Sequence, residues 1–155
     1  MERGDPEAAA RTAAVTQGAA RLLAGLGLAV LREVMLADGR RADLLGLGAD
    51  GGFVIVEVKS CARDYLSDRK WEDYRAWCDR LFFAVDADFP QGLLPAEAGL
   101  IVADAWGGAV LREPEAHPLA PARRRALTLR FARLAARRAE RSVDPGGAAA
   151  GLAAD

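Results

Sequence analysis

The segment GGFVIVEVKS, residues 51–60, is the feature that most constrains the fold. Its apolar run predicts a strand over residues 52–59 that is buried within a sheet. The run ends in Glu57 and Lys59, which are two residues apart and therefore project to the same side of the strand. Burying an acid and a base costs free energy unless they pair with each other or serve a ligand.

The patterns around this strand predict an α/β domain of three layers with a mixed sheet. The turn segments ADGRR and GADGG make the first three strands antiparallel, and the apolar RLFFAVDA lies inside the sheet. In chain order we expect a helix at 6–25, strands at about 28–36, 41–47 and 52–59, a helix from Ser67 or Asp68 to about Cys78, strands at 80–87, 99–105 and 108–113, and a basic helix at about 119–140. We expect a single domain over residues 1–141 and a disordered tail over residues 142–155.

The composition excludes several classes of site. Cys61 and Cys78 lack a Cys-x-x-Cys spacing and His117 is the single histidine, so neither a zinc cluster nor a disulfide framework is indicated. Buried structural roles are the plainer interpretation of the cysteines. No apolar run reaches the roughly 20 residues of a membrane helix, and the acidic N-terminus does not resemble a secretory signal. We therefore expect a cytoplasmic protein with no membrane partner.

Asp43, in the strand that precedes Glu57, is the natural partner for that acid. With the connecting turn near residues 48–51, the two residues lie about equally far from the hairpin tip, so their carboxylates can converge. Carboxylates without Cys or His suit a hard cation such as Mg²⁺, which completes its shell with water and substrate phosphate. Lys59 would lie beside the ion, positioned to orient or deprotonate a water or to neutralise transition-state charge. The pattern favours phosphodiester hydrolysis.

Asp43, thirteen residues and then Glu57-Val58-Lys59 resemble the PD-(D/E)xK nuclease superfamily, with RAD in place of PD. The segments GRRADLLGL, IVEVKS, DYLSDRKWEDYRAWCDRLFFAV, GLIVAD and ARRRALTLRFARLA are together similar to the MmcB family of DNA repair endonucleases. The similarity covers roughly residues 10–140.

This resemblance implies a restriction-endonuclease-like fold and a Mg²⁺- or Mn²⁺-dependent deoxyribonuclease that acts on DNA in repair, with other repair proteins as further partners. It makes Asp43 and Glu57 metal ligands and Lys59 the catalytic lysine. Related nucleases often carry a further acid on the first helix, but Glu7 is too near its end. Glu33 on the first strand is the expected substitute as a metal ligand.

A basic helix near the C-terminus supplies a surface for an anionic partner. Residues 121–141 contain eight arginines against the single acid Glu140, a net charge of +7. Phosphate contact is the natural use of such a stripe. The residues expected to bind nucleic acid are Lys70, Arg123, Arg130, Arg133 and Arg137.

Plainer interpretations exist for each pattern. Glu57 and Lys59 can form an ion pair at a strand end, Asp64, Asp68 and Lys70 can belong to a solvated loop and helix cap, and the arginine stripe can be a solvated face. Two other functions stay open: a non-catalytic DNA-binding scaffold of a repair complex, and an RNA-directed or mobile-element nuclease.

Overall fold

The computed structural model of the protein describes residues 4–67 and 71–147. By its internal contacts the chain divides into two compact units, Met1–Leu119 and Ala120–Asp155. The prediction of one domain over residues 1–141 stays a prediction.

The first unit is built on one mixed sheet with helices on its faces. Its described residues form α1 (Pro6–Gly25), β1 (Ala29–Met35), β2 (Arg41–Leu47), β3 (Phe53–Val58), α2 (Ala62–Ser67), a 3-10 helix (Trp71–Trp77), β4 (Arg80–Val85), a second 3-10 helix (Gln91–Leu93), β5 (Gly99–Ala103) and β6 (Gly108–Arg112). These strands lie in the sheet in sequence order, with β3, β4 and β5 parallel and the other neighbours antiparallel. The predicted α/β class and the interior position of β4 are confirmed.

Helix α1 covers one face of the sheet. It begins where the side chain of Asp5 accepts a hydrogen bond from the Glu7 N–H at 3.0 Å, with Pro6 in the first turn. Its core residues are Val15, Ala19, Ala20 and Leu23, packed with Leu44, Val54, Val56, Val58, Phe82, Ala84, Ile101 and Ala103 of the sheet. Gly18 permits the close approach, because a Cβ there would lie 1.9 Å from the Asp104 carbonyl oxygen.

The opposite face carries a second apolar cluster. It contains Phe83, Val85, Phe89, Leu94, Ala98 and Leu100. The rings of Tyr65 and Trp71 pack edge-on against Phe83, with centroid distances of 5.7 and 5.9 Å. Residues of α2 and of the first 3-10 helix therefore lie over this face, which gives the three-layer arrangement.

The helix predicted from Ser67 or Asp68 to about Cys78 differs from the observed element. The described part is a 3-10 helix over Trp71–Trp77, preceded by the short helix α2. The segment WEDYRAW has aromatic residues every third position, and a 3-10 helix aligns such positions on one side. Tyr74, the middle one, is buried, and its hydroxyl donates to the Arg41 carbonyl oxygen at 3.2 Å. Asp68 lies outside the described residues.

The two cysteines have different environments. Cys78 is buried, as predicted, and burial raises the pKa of its thiol to about 12. Cys61 is exposed, so the prediction of a buried structural role is wrong for that residue. It follows β3 at the sheet edge, where the chain leaves the core.

The second unit contains helix α3, Pro121–Val143. Pro121 begins the helix, where its missing N–H costs nothing. The helix runs two residues into the segment predicted as a disordered tail, and residues 148–155 of that segment lie outside the described residues.

Within residues 4–67 and 71–147, no helix combines the length and apolar character needed to cross a lipid bilayer.

Candidate active site

The site lies where the ladder between β2 and β3 ends. The last paired residues are Leu44 and Val56, and the same register continued by one step places Asp43 opposite Glu57. At this step carboxylate oxygens take the place of backbone carbonyl oxygens as acceptors. The Asp43 N–H donates to Glu57 Oε1 at 3.2 Å, and the Val58 N–H donates to Asp43 Oδ2 at 2.8 Å. Each strand therefore holds the carboxylate of the other, which brings Asp43 and Glu57 together.

Lys59 follows on the same face as Glu57. The intervening Val58 belongs to the α1 cluster, so its neighbours project to the opposite face of the sheet. The Lys59 N–H donates to the Ala84 carbonyl oxygen at 3.0 Å, which keeps this residue alongside β4. Glu57 is 4% exposed and Lys59 is 6% exposed. An acid and a base are thus buried beside Asp43.

The pKa of Asp43 is raised above its ordinary value, and burial is the main cause. The Val58 N–H and the charges of Lys59 and Arg41 lower the pKa of this carboxyl in part, whereas the charge of Asp64 raises it. The net effect is that ionised Asp43 destabilises the fold. A cation bound at this carboxylate would relieve that cost.

The carboxylate pair fits a divalent cation bound partly by water and substrate. Asp43 Oδ1 makes no hydrogen bond with any described residue, so it can face a ligand. Oxygen donors from one or two carboxylates are the usual protein contribution to a Mg²⁺ site. Over residues 4–67 and 71–147, no group of three or more Asp, Glu, His or Cys side chains is arranged to hold an ion. The residues therefore suit a two-carboxylate site rather than a closed protein cage.

Glu33 does not form a group of three potential metal ligands with Asp43 and Glu57. The β1–β2 register places it opposite Asp43, between the pairs Arg32–Leu44 and Val34–Ala42. Its side chain is exposed, and its φ of 49° is a left-handed conformation that interrupts the regular alternation of the strand. Its role as an additional ligand stays a prediction.

Of the remaining predicted residues, Asp64 is close enough for its charge to act on Asp43, and the others belong to the second unit or are not among the described residues. Asp64 Oδ2 accepts a hydrogen bond from the Ser60 N–H at 3.3 Å, as expected of a residue that caps a loop. Asp68 and Lys70 lie outside the described residues. The predicted nucleic-acid-binding residues of α3 are all exposed: Arg123, Arg130, Arg133 and Arg137.

Sequence reasoning missed Arg41. This exposed residue precedes Asp43 by two positions on β2 and shares its face of the strand. The signal was present in the RRAD segment, since alternate residues of a strand face the same way.

Comparison with known proteins identifies the family. Residues 2–146 match the family model described as DNA repair protein MmcB-like. The chain belongs to the MmcB-like family. Membership indicates a role in DNA repair and an interaction with DNA.

A similar solved structure is the SPO1766 protein of unknown function from Silicibacter pomeroyi, which is 43% identical with a TM-score of 0.85. The match covers 88% of this chain and 94% of that one. No curated protein matches the chain.

For this MmcB-like protein, we predict that Asp43→Asn increases stability above the pKa of Asp43. The pKa of Asp43 is higher in the folded protein than in the unfolded chain, where it is about 3.9. The protonated carboxyl therefore contributes fully to the free energy of unfolding below the unfolded-state pKa, and this contribution is lost as pH rises through the folded-state pKa. An amide cannot ionise, so it avoids this loss. Urea unfolding from pH 4.5 to 8 without divalent ions should show a stability advantage of the variant that grows with pH.

The exposed carboxylate of Asp88 provides a control for loss of one negative charge. Asp88→Asn should show a weaker pH trend than Asp43→Asn. An Asp43→Asn protein that is less stable at every pH would instead identify Asp43 as a member of a structural ion pair, because its removal would leave Lys59 under-compensated.

Proposed function

We propose that the protein is a Mg²⁺- or Mn²⁺-dependent endonuclease that hydrolyses DNA phosphodiester bonds during repair. The observation that carries the proposal is the reciprocal pair of Asp43 and Glu57, held at the end of a ladder with Lys59 on the same face. The fold and the order of these residues are compatible with the PD-(D/E)xK superfamily.

In this proposal Asp43 and Glu57 hold the divalent ion. When bound, the ion supplies Lewis-acid stabilisation of negative charge that develops on the phosphate oxygens. The two backbone N–H groups that bind the carboxylates fix their orientation before substrate arrives, so little reorganisation is needed on binding. The pair therefore acts as a preformed anchor for the scissile phosphate.

Besides the metal binding assigned to Asp43 and Glu57, the reaction needs proton transfer or charge neutralisation, and we assign this role to Lys59. Its ammonium is a compact charge on a flexible stem, and burial removes much of the competing water. At this position the ammonium form neutralises the charge of the transition state, whereas the neutral amine form would orient the attacking water and accept its proton. A surface ion pair would need neither this burial nor the convergence of Asp43 with Glu57.

We predict that Glu57→Gln and Lys59→Met each lower the cleavage rate by about 10²-fold or more, because each removes a group that acts on the scissile phosphate. DNA binding should stay close to that of the wild type, since neither side chain tracks the backbone of the nucleic acid. The measurement is cleavage of labelled single-stranded, duplex, flapped and four-way DNA, and of RNA, with Mg²⁺ or Mn²⁺. Binding and melting temperature are measured in parallel.

Glu113→Gln is a matched control, because it makes the same chemical change at an exposed residue beyond β6. Glu33→Gln in the same assay tests the additional ligand. Equal cleavage by Glu57→Gln, Lys59→Met and the wild type would remove the catalytic role. If the wild type binds DNA but cleaves no substrate, the protein is a non-catalytic scaffold of a repair complex.

The arginines of α3 support the choice of nucleic acid as the substrate. Arg130, Arg133 and Arg137 are spaced three and four residues apart, so they share one side of the helix. All are exposed. We assign to this stripe, together with Arg123 and Lys70, non-specific affinity for the phosphate backbone.

We predict that replacing Arg130, Arg133 and Arg137 together by Gln weakens DNA binding for all sequences alike and lowers the salt slope by about one unit per lost phosphate contact. Fluorescence anisotropy at a series of salt concentrations measures both effects. A triple control with the same charge change replaces Arg11, Arg32 and Arg80, which are exposed residues of α1, β1 and β4. Equal slopes for the stripe variant and the wild type would show that the stripe is only a solvated face.

A further inference from the structure

Two consecutive arginines at the start of β2 have different roles. The Arg40 guanidinium forms an ion pair with Asp73, and its Nε lies 3.5 Å from Asp38 Oδ2. Its Cζ is 5.9 Å from the centroid of the Tyr74 ring. Arg40 therefore fastens the first 3-10 helix to the beginning of β2, and its charge is neutralised by its neighbours.

Arg41 is held by its backbone, whereas its side chain is exposed. The Tyr74 hydroxyl donates to the Arg41 carbonyl oxygen at 3.2 Å, which fixes the main chain at this point. Among the described residues, the guanidinium of Arg41 has no ion pair and no hydrogen-bond partner. Within the part of the chain that the structure describes, its charge is therefore not neutralised by a direct ion pair.

The strand directs Arg41 toward the candidate active site. Leu44 packs in the α1 cluster, so Asp43 and Arg41 project to the opposite face, where Glu57 and Lys59 also lie. Residues two apart on a strand are about 7 Å from each other, roughly the spacing of adjacent phosphates along one DNA strand. The charge of Arg41 already acts on Asp43.

The other side of the same sheet edge carries a group of carboxylates. Strands β3, β4 and β5 are parallel, so their C-terminal ends share one edge, and β5 lies about 10 Å from β3. Beyond β4 a groove of about 660 Å³ is lined by Asp86, Asp88, Asp104 and Trp106, and none of its described lining residues is basic. Carboxylates at this position repel phosphate.

Trp106 in that groove is 82% exposed, so its ring is accessible for stacking with a nucleobase. Its turn is held by two hydrogen bonds, since Asp104 Oδ1 accepts from the Trp106 and Gly107 N–H groups at 2.8 and 3.1 Å. The same Asp104 carboxylate, however, adds negative charge beside the ring. Arg21 donates to the Ala105 and Trp106 carbonyl oxygens at 3.3 and 3.2 Å, so this turn also holds one cation. The three carboxylates that line the groove outnumber it and oppose approach of a polyanion from the β4–β5 side.

We propose that the DNA backbone reaches the carboxylate pair from the β2 side of the sheet edge, and that Arg41 binds the phosphate adjacent to the scissile one. The planar guanidinium suits bidentate contact with phosphate oxygens. This inference rests on the proposed function, because the scissile phosphate is defined by Asp43, Glu57 and Lys59.

The test is DNA binding by the full chain in EDTA, so that cleavage does not interfere. Arg41→Gln should raise Kd by about tenfold, as expected for a lost charge-assisted hydrogen bond, and should lower the salt slope by about one unit. Arg41→Lys should keep the slope, because it keeps the charge. Arg11→Gln, an exposed arginine of α1, and Trp106→Ala should both bind as the wild type does.

Three results would overturn the inference. Arg41→Gln binding with unchanged affinity and slope, while the wild type cleaves DNA, would remove the role of Arg41 and leave the proposed function standing. Weakened binding by Trp106→Ala with normal binding by Arg41→Gln would place the DNA path on the β4–β5 side. A wild type that neither binds nor cleaves DNA would remove both proposals together.

Discussion

The exchange of hydrogen bonds between the ends of β2 and β3 is the interaction on which the site depends. A regular ladder would have placed Asp43 and Glu57 opposite each other, would have given the Val58 N–H a backbone acceptor on β2, and would have left the two acidic side chains to solvent or to each other. Here the Asp43 N–H binds Glu57 Oε1 and the Val58 N–H binds Asp43 Oδ2. Backbone donors that would otherwise be unsatisfied are used to hold two acids side by side.

The rest of the first unit stabilises the strand that carries this arrangement. Helix α1 and its apolar cluster bury one face of β3 from Val54 to Val58, which anchors the strand. The Lys59 N–H continues the pairing with β4, so the chain does not diverge there. Burial raises the pKa of Asp43, although Lys59 offsets part of this effect. A stable core thus supports a locally unfavourable group, as is common at functional sites.

Much of the sheet followed from the sequence, because period-two alternation and Gly-containing turns specify strands locally. The strand predicted at 41–47 and the helix predicted at 6–25 have the predicted boundaries. Counting residues from the hairpin also predicted that Asp43 meets Glu57. Those inferences needed only neighbours along the chain or across one turn.

What the sequence did not specify depends on tertiary context. The segment WEDYRAW is predicted to belong to an α-helix, but contacts of its aromatic residues with the sheet favour a 3-10 helix with a period of three. The left-handed conformation of Glu33 has no local signal such as glycine. The different roles of Arg40 and Arg41 depend on which of them meets Asp38 and Asp73 in space.

The central claim is that the reciprocal acids form a divalent-cation site, and thermal melting with and without metal tests it most directly. Millimolar Mg²⁺ or Mn²⁺ should raise the melting temperature of the wild type by mass action, and should raise that of Asp43→Asn much less. The reference melting temperature of each protein is measured in EDTA without added divalent ions. A wild type indifferent to divalent ions, together with an Asp43→Asn protein that melts at a lower temperature, would contradict the account.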